Sequence, residues 1–207
     1  MKLTFKNLQA YYIHPENFKD RTEALLVSLN KLDVKSTTRI ISNEEPGCKQ
    51  NNTTRAHLKM IEKIIEDNSY PCLFVEDDIK FIKDLPLEFE VPDEADMIYL
   101  GGSLYNDASI KPDLYITEYN DIFYRVYYMF TTHAIVIMNN KTALEYKKVC
   151  EQGLKDCKPN DVDLSLMSKD FIALTPKDGL YLYQYGENQD ITKFQWKQYE
   201  DVLLKKL

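Results

Sequence analysis

Residues 71–75 form an uninterrupted apolar run (PCLFV) that leads directly into three acidic residues, Glu76, Asp77 and Asp78. A short, continuous apolar run of this kind is typical of a strand buried on both faces of a parallel sheet. Parallel strands need long crossover connections, which are usually helices. The run therefore predicts an α/β fold if helical patterns flank it.

The first hundred residues alternate between strand and helix patterns in the way that a parallel sheet requires. Strands are predicted over residues 8–13, 37–41, 71–75 and 96–100, and helices over 16–31 and 53–67. Leucines and isoleucines recur at helical spacing in both helices, and Asn51 or Asn52 can cap the second. This order implies a mostly parallel sheet with helices on both faces.

The second hundred residues differ in character, because their predicted strands are rich in Tyr, Phe and Val. Strands are predicted over 113–118, 122–129, 133–138, 171–175 and 180–184, and helices over 140–150, 161–169 and 191–206. We expect one α/β domain made of two halves. Residues 1–102 form the half that binds a nucleotide and a metal, and residues 103–207 form a mixed half that binds an acceptor.

Composition limits the partners of the chain. Its 207 residues carry a net charge of -7 at pH 7, and 44% of them are hydrophobic, as in a globular domain. Nucleic acids and anionic membranes require clustered Lys and Arg, so neither is an expected partner. No signal peptide and no apolar run of the ~20 residues that span a membrane is visible.

The four cysteines lack a CxxC pair and form no disulfide framework. We therefore expect a soluble, cytoplasmic protein in a reducing compartment.

The acidic triplet Glu76-Asp77-Asp78 predicts a metal site. Adjacent carboxylates repel one another unless a cation neutralises them, and Mg²⁺ and Mn²⁺ prefer oxygen ligands. In open α/β sheets, ligands bind at the carboxyl ends of the strands, where this triplet lies. A divalent cation that also contacts diphosphate oxygens is the leading interpretation. An acidic turn solvated at the edge of the sheet is the alternative.

Several segments match, in order, the pattern of a known enzyme family. They are Tyr11-Tyr12-Ile13, Arg21, Gly47-Cys48, Ala56-His57-Leu58-Lys59, Glu76-Asp77-Asp78, Asp96-Met97-Ile98-Tyr99-Leu100-Gly101 and Pro159-Asn160-Asp161-Val162-Asp163. On these segments the chain resembles glycosyltransferases of the GT-A fold, most closely the family of bacterial lipooligosaccharide and eukaryotic collagen galactosyltransferases. It is also similar to a glycosyltransferase domain of large algal (chlorella) viruses, which implies the host cytoplasm as its location.

The resemblance spans most of the chain and implies a GT-A-like single domain with assigned residue roles. Asp78 would chelate Mn²⁺ or Mg²⁺ bridging the donor diphosphate, Glu76 would meet the ribose or the metal, and Asp77 would face the sugar. The nucleotide contacts are expected from Tyr11, Ile13, His14, Arg21 and Arg55. The chain departs from the family pattern where it has His14-Pro15 instead of Asn-Leu and Thr132-His133 instead of Gly-Tyr.

Asp161 and Asp163 lie at the start of a predicted helix in the second half. One of them is expected to act as general base on the acceptor hydroxyl or to flank the anomeric carbon. Alternatively, Asp161 caps the helix and Asp163 lies in its first turn, where carboxylates are favoured. Arg55 opens the helix before the apolar strand, where phosphate is attracted, although Glu62 is an alternative partner for it.

The three histidines are interpreted separately. His14 follows the first strand, at the edge where nucleotides bind in doubly wound folds. His57 lies beside Leu58 on a predicted helix and is interpreted as a packed residue. His133 begins an apolar strand and is interpreted as structural, with completion of a metal shell as the alternative.

The leading hypothesis is a metal-dependent glycosyltransferase of the hexosyltransferase type. It would move a sugar from a nucleoside diphosphate donor, with uridine as the expected base, to a carbohydrate or glycoprotein acceptor. One alternative is a metal-dependent nucleotidyltransferase, but residues 12–16 lack the Gly-rich, basic loop such enzymes use. The other is a non-catalytic carbohydrate-binding module that stacks sugars on tyrosines, which leaves the triplet without a role. Neither a P-loop nor a GxGxxG motif is present, which argues against ATPases and dinucleotide oxidoreductases.

Overall fold

The computed structural model describes most of the chain up to residue 184. The described residues are 1–15, 19–42, 49–77, 79–81, 86, 88–103, 116–127, 129–157, 164, 167–177 and 182–184. The strands in this part of the chain are β1 (Lys2–Thr4), β2 (Gln9–Pro15), β3 (Ser36–Ser42), β4 (Cys72–Val75), β5 (Ile79–Phe81), β6 (Glu88–Glu90), β7 (Met97–Ser103), β8 (Ile116–Glu118), β9 (Phe123–Val126), β10 (Phe130–Ile137), β11 (Ala173–Pro176) and β12 (Leu182–Gln184). The α-helices are α1 (Lys19–Lys31), α2 (Lys49–Asp67) and α3 (Asn140–Asp156).

Strands β3, β2 and β4 form the parallel part of the main sheet. β2 pairs in parallel with β3 along its whole length, and with β4 as far as Tyr12, which lies opposite Val75. α1 lies between β2 and β3 in the chain and α2 between β3 and β4, so both crossovers contain a helix, as the sequence predicts. The carboxyl ends of β2 and β4 therefore meet at one edge of the sheet, which we call the carboxyl edge.

Strand β10 comes from the second half of the chain but lies between β4 and β7, antiparallel to both. Beyond β7, the sheet continues with β11, β9 and β8, of which β11 is parallel to β7 and β9 is antiparallel to β11. The two halves thus share one large mixed sheet. The predicted α/β class is confirmed, and the architecture is consistent with a GT-A-like single domain.

The sheet separates two buried apolar layers. α2 and α3 pack on the face that carries Tyr11 and Phe74. α1, β1 and β6 cover the other face, which carries Tyr12 and Val75. Neighbouring residues of β4 therefore serve opposite layers, and all four are buried. This explains why the strand contains no charged residue.

Most predicted elements are confirmed, with shifts at their ends. α2 begins at Lys49 rather than at residue 53, so Asn51 and Asn52 lie in its first turn and the predicted cap is wrong. α3 begins as predicted, capped by Asn139, whose side chain accepts from the Thr142 N–H, but it extends to Asp156. β1, β5 and β6 are not predicted, because strands of three residues carry too little pattern. The predicted helix over 191–206 lies outside the described residues.

The described cysteines differ in whether they form a disulfide bond. Cys72 and Cys150 are buried free thiols, and burial raises the pKa of each to about 12. Cys157, which ends α3 in a left-handed conformation, is disulfide-bonded. One disulfide-bonded cysteine does not make a disulfide framework, but it removes the support that cysteine content gave to a reducing compartment. None of the helices in the described part of the chain has the length and apolar character needed to cross a membrane.

Candidate active site

The acidic triplet leaves the sheet at the carboxyl end of β4. The backbone N–H of Glu76 donates to the carbonyl oxygen of His133 at 2.9 Å. This bond extends the antiparallel pairing of β4 with β10 one residue beyond Val75 and Ala134. Asp77 follows and is 8% exposed. The burial of Asp77 disfavours the alternative of a solvated acidic turn, while Asp78 lies outside the described residues.

The carboxylate of Glu76 contacts side chains from two other elements. The Thr132 hydroxyl on β10 donates to Oε1 at 2.5 Å, and Nδ1 of the adjacent His133 lies 3.4 Å from Oε2. From α2, Nε2 of His57 lies 3.4 Å from Oε1. The Glu76 side chain is 17% exposed. β10 and α2 therefore both hold this carboxylate at the carboxyl edge.

Electrostatics keep Glu76 ionised. Burial raises its pKa, but the hydrogen bonds and charges of His133 and His57 outweigh burial and hold the pKa of Glu76 well below its ordinary value of 4.5. A buried carboxylate is tolerated when hydrogen-bond donors replace the water it has lost. The site therefore contains a fixed negative charge at neutral pH.

His57 links Glu76 to the buried layer beneath it. Its Nδ1 lies 2.7 Å from the hydroxyl oxygen of Tyr146 on α3, and its ring stands edge-on to Phe74 with centroids 5.0 Å apart. Burial raises the pKa of Tyr146 well above its ordinary value, so this hydroxyl stays protonated. The interpretation of His57 as a packed residue is confirmed by its 1% exposure. Its contact with Glu76 is not predicted by the sequence pattern.

Thr132 and His133 occupy the position where the chain departs from the family pattern. Both side chains contact Glu76, although neither was expected among the functional residues. His133 is buried, in agreement with a structural histidine. The departure from the family pattern marks these two positions in the sequence, but their contact with Glu76 is seen only in the structure.

Two of the expected nucleotide contacts lie at the same edge. Because β2 and β4 run parallel with Tyr12 opposite Val75, the next residues of β2, Ile13 and His14, reach the level of Glu76. Both are buried, at 6% and 3% exposed. The structure thus brings Ile13 and His14 to the carboxyl edge, and their role in binding a nucleotide stays a prediction.

Tyr11 is placed differently. Its ring is fully buried, and its hydroxyl donates at 2.9 Å to Asp67, the last residue of α2. Burial, together with Asp67, raises the pKa of Tyr11 above its ordinary value. Lys63 also pairs with Asp67 at 2.8 Å. The described contacts of the Tyr11 hydroxyl are therefore with the end of α2, and nucleotide binding by Tyr11 stays a prediction.

The amino ends of two helices also lie at the carboxyl edge. α1 follows the end of β2 and α2 follows the end of β3, and His57 of α2 reaches Glu76. Helix amino ends favour phosphate groups. The expectation that Arg55 opens α2 is wrong, because the helix begins at Lys49 and Arg55 lies in its second turn. Arg55 donates to Asn52 at 3.1 Å, while Glu62, the alternative partner, pairs with Lys147. The backbone of Arg21 lies in the first turn of α1.

The predicted metal ligands are only partly located. Among the described residues, no three His, Cys, Asp or Glu side chains form a group that could hold a metal ion. Glu76 and Asp77 are the kind of hard oxygen donor that Mn²⁺ and Mg²⁺ accept, and Asp78 follows them directly. The donor chemistry of this segment therefore fits a divalent cation. Asp161 and Asp163 lie outside the described residues.

Comparison with known proteins yields distant likenesses. No protein-family model and no curated protein matches the chain. Among solved structures, it is similar to A197 from STIV, with 8% sequence identity, a TM-score of 0.42 and 81% of each chain covered. It is also similar to the apo-form glycosyltransferase GlyE in Streptococcus pneumoniae TIGR4, with 12% identity, a TM-score of 0.47, and 87% of this chain and 55% of that chain covered. At these values neither likeness assigns a reaction or a residue role to this chain.

Proposed function

We propose that this chain is a metal-dependent glycosyltransferase that moves a sugar from a nucleoside diphosphate donor to a carbohydrate or glycoprotein acceptor. The observation that carries the proposal is the pair of carboxylates, Glu76 and Asp77, placed at the carboxyl edge beside the end of β2 and the amino end of α2. This is the edge where α/β sheets bind nucleotides. The resemblance of the acidic triplet and its neighbouring segments to GT-A enzymes supports the same reaction.

The donor is expected to be a uridine diphosphate sugar. An anionic diphosphate is repelled by a chain of net charge -7 unless a cation or a local basic group offsets that charge. Asp78 is the proposed direct ligand of Mn²⁺ or Mg²⁺, with Asp77 beside the donor sugar. When bound, the cation supplies Lewis-acid stabilisation of the departing nucleoside diphosphate.

Other residues of the carboxyl edge bind and orient the donor. Ile13 and His14 at the end of β2 are the proposed contacts of the base and ribose. Tyr11, whose side chain is fully buried, would contribute only through its backbone. Arg21 lies in the first turn of α1, where backbone N–H groups donate to phosphate oxygens. Arg55, in the second turn of α2, would reach the phosphates through its side chain. Arg21 and Arg55 would thus orient the diphosphate without a Gly-rich loop.

The acceptor is assigned to the second half of the chain. Asp161 or Asp163 is the proposed general base, which removes the proton from the attacking hydroxyl of the acceptor. Such a base is used in the transition state, so its loss reduces turnover more than donor affinity. The hexosyltransferase type follows from the family resemblance and belongs to the same proposal.

A two-step experiment tests this function. Nucleoside diphosphate sugars are first screened for an increase in melting temperature with and without Mn²⁺, since a ligand present at 100 times its Kd stabilises the folded state by about 2.7 kcal/mol. We expect a uridine diphosphate sugar to stabilise the chain only with Mn²⁺. Nucleotide release from that donor is then measured in wild type and in Asp77→Asn.

The outcomes separate the three functions. Mn²⁺-dependent release of UDP that falls in Asp77→Asn supports a glycosyltransferase. Release of pyrophosphate from a nucleoside triphosphate would instead identify a nucleotidyltransferase. Binding of oligosaccharides without any nucleotide or metal dependence would identify a binding module and overturn the proposal.

A further inference from the structure

We infer that Glu76 is a positioning residue of the proposed site and not a ligand of its cation. Its carboxylate is held by three side chains, His57, Thr132 and His133, which we call the clamp. The clamp fixes the backbone from which the next carboxylate, Asp77, extends. The inference rests on the proposed function, because it assigns one part of the same site.

Both carboxylate oxygens of Glu76 face the clamp. Oε1 accepts from the Thr132 hydroxyl at 2.5 Å and lies 3.4 Å from Nε2 of His57, and Oε2 lies 3.4 Å from Nδ1 of His133. A direct metal ligand needs an oxygen directed at the ion at about 2.0–2.2 Å. The Thr132 and His133 contacts are hydrogen bonds, one to each carboxylate oxygen, so the protein already holds both oxygens. The carboxylate is therefore fixed by the protein on both oxygens, as expected of a residue that positions its neighbours.

The clamp side chains are not themselves a metal site. Two histidines and one glutamate are ligands that zinc accepts. In the described part of the chain, however, no group of three such side chains surrounds a common point that could hold an ion. The histidines instead face opposite oxygens of Glu76, one on each side. This arrangement immobilises the carboxylate.

The hydroxyl of Tyr146 contacts Nδ1 of His57, the ring nitrogen other than the one beside Glu76. The hydroxyl oxygen and Nδ1 lie 2.7 Å apart, and Tyr146 and His57 are both buried at 1% exposure. A Tyr146 hydroxyl that donates to Nδ1 leaves Nε2 as the ring nitrogen that carries the proton. Nε2 is the atom that faces Glu76. The contact with Tyr146 thus holds the ring whose other nitrogen lies beside the carboxylate.

The clamp joins three elements where the triplet leaves the sheet. The backbone N–H of Glu76 donates to the carbonyl of His133, so backbone and side chain are both tied to β10. His57 adds a contact from α2. A reacting group displaced by ~1 Å can cost a factor of about 10² in rate. Loosening the clamp should therefore reduce turnover without removing a metal ligand.

The first test counts the waters on bound Mn²⁺ in the whole chain by water-proton relaxation. Loss of a carboxylate ligand opens a coordination position to water, whereas loss of a positioning residue does not. We expect Glu76→Gln to keep the wild-type number of Mn²⁺-bound waters. The ligand control Asp78→Asn should gain about one water, as hard cations fill open positions with water.

The second test uses turnover in Thr132 variants, so that it does not depend on the folding of Glu76→Gln. Thr132→Val removes the hydroxyl and should lower kcat by about 10- to 100-fold, the range for outer residues that support a metal site, with little change in the donor KM. Thr132→Ser restores the hydroxyl and should recover most of the loss. Thr117→Val, at an exposed position of β8, is the matched control and should not change kcat.

Each outcome decides between the assignments. An extra Mn²⁺-bound water in Glu76→Gln, or a wild-type kcat in Thr132→Val, would overturn the positioning role and leave the proposed function intact. A wild-type chain that binds no Mn²⁺ would overturn the proposed metal-dependent function together with this inference.

Discussion

Nε2 of His57 and Oε1 of Glu76 lie 3.4 Å apart, although they belong to different parts of the fold. His57 is on α2, and Glu76 follows β4, whose Phe74 ring packs edge-on against the His57 ring. The contact joins an ionised carboxylate to a helix that starts at the carboxyl edge. The packing of α2 on the sheet and the position of the acidic triplet therefore depend on one another.

Glu76 should make the stability of the protein depend on pH in the acidic range. Because the pKa of Glu76 in the folded protein is below its ordinary value of 4.5, the unfolded chain binds the proton more readily. The stabilisation is fully present above about pH 4.5 and is lost as the pH falls through the folded-state pKa. Urea unfolding of wild type and Glu76→Gln from about pH 7 to about pH 3 should show a wild-type advantage that shrinks in this window.

The comparison with Glu76→Gln isolates this carboxylate. The residues that face Glu76, which are His57, Thr132 and His133, are the same in both proteins, so the difference between the two curves reports the charge of Glu76 together with its interactions with them. A difference in unfolding free energy that stays constant down to the lowest pH would show that Glu76 is not stabilised as an anion in the folded state.

The hydroxyl of Tyr146 should contribute measurably to stability. Tyr146→Phe leaves the ring in place but removes the partner of His57 Nδ1 at 2.7 Å, which leaves a buried nitrogen unsatisfied. The unfolding free energy should fall by about 1–3 kcal/mol, measured by urea denaturation. Tyr70→Phe is the control, since its hydroxyl bond to Asn140 is exposed, and it should cost less than about 0.5 kcal/mol. Equal losses in the two variants would rule out a special role for the buried pair.

The sequence predicts the edge of the sheet at which the candidate site lies, because an all-apolar strand must be buried on both faces. Residues 71–75 are apolar at every position, which requires cover on both faces, and the acidic residues that follow must then emerge at the end of a central strand. The helix patterns before and after β3 predict that the connections from β2 to β3 and from β3 to β4 are helical crossovers between parallel strands. Local chemistry therefore predicts β2, α2, β4 and the position of Glu76.

The partners of Glu76 could not be predicted in the same way. His57, Thr132 and His133 reach it through the packing of α2 and the insertion of β10 between β4 and β7. The apolar pattern of β10 is that of any buried strand and does not specify its neighbours. A histidine in such a pattern is equally compatible with packing and with a site, so only the sheet order separates the two.

Asp78 should be needed for donor binding but not for folding. If Asp78 ligates the cation, Asp78→Ala should abolish the Mn²⁺-dependent binding of a uridine diphosphate sugar, as measured by calorimetry. The melting temperature without metal should be retained or slightly raised, since one self-repelling carboxylate is removed. Asp121→Ala, at an exposed turn before β9, is the matched control and should bind the donor normally. Unchanged donor affinity in Asp78→Ala would exclude Asp78 as the ligand.

Chelation of the metal should weaken the binding of UDP. The chain is acidic and has no Gly-rich phosphate loop, so little else offsets the charge of the diphosphate. We expect UDP affinity to fall by a factor on the order of 10 or more in EDTA, equivalent to about 1.4 kcal/mol or more. Equal affinity with EDTA and with Mn²⁺ would mean that Arg55 or Arg21 holds the phosphates. Arg55→Ala and Arg21→Ala, measured in EDTA, would then identify which of them does so.

Asp161 and Asp163 should separate catalysis from binding. Asn keeps the size and hydrogen-bonding capacity of Asp but removes the charge, so Asp161→Asn and Asp163→Asn test the general base without removing a helix cap. If one of these carboxylates activates the acceptor, turnover in that variant should fall by a factor on the order of 10² or more. Donor affinity should hardly change, because the interaction is made mainly in the transition state.

Steady-state transfer rates and donor calorimetry on the same preparations measure the two effects. If both variants keep near-normal turnover, the segment serves as a helix cap, and Asp77, which is buried at the carboxyl edge, becomes the first candidate for the catalytic carboxylate.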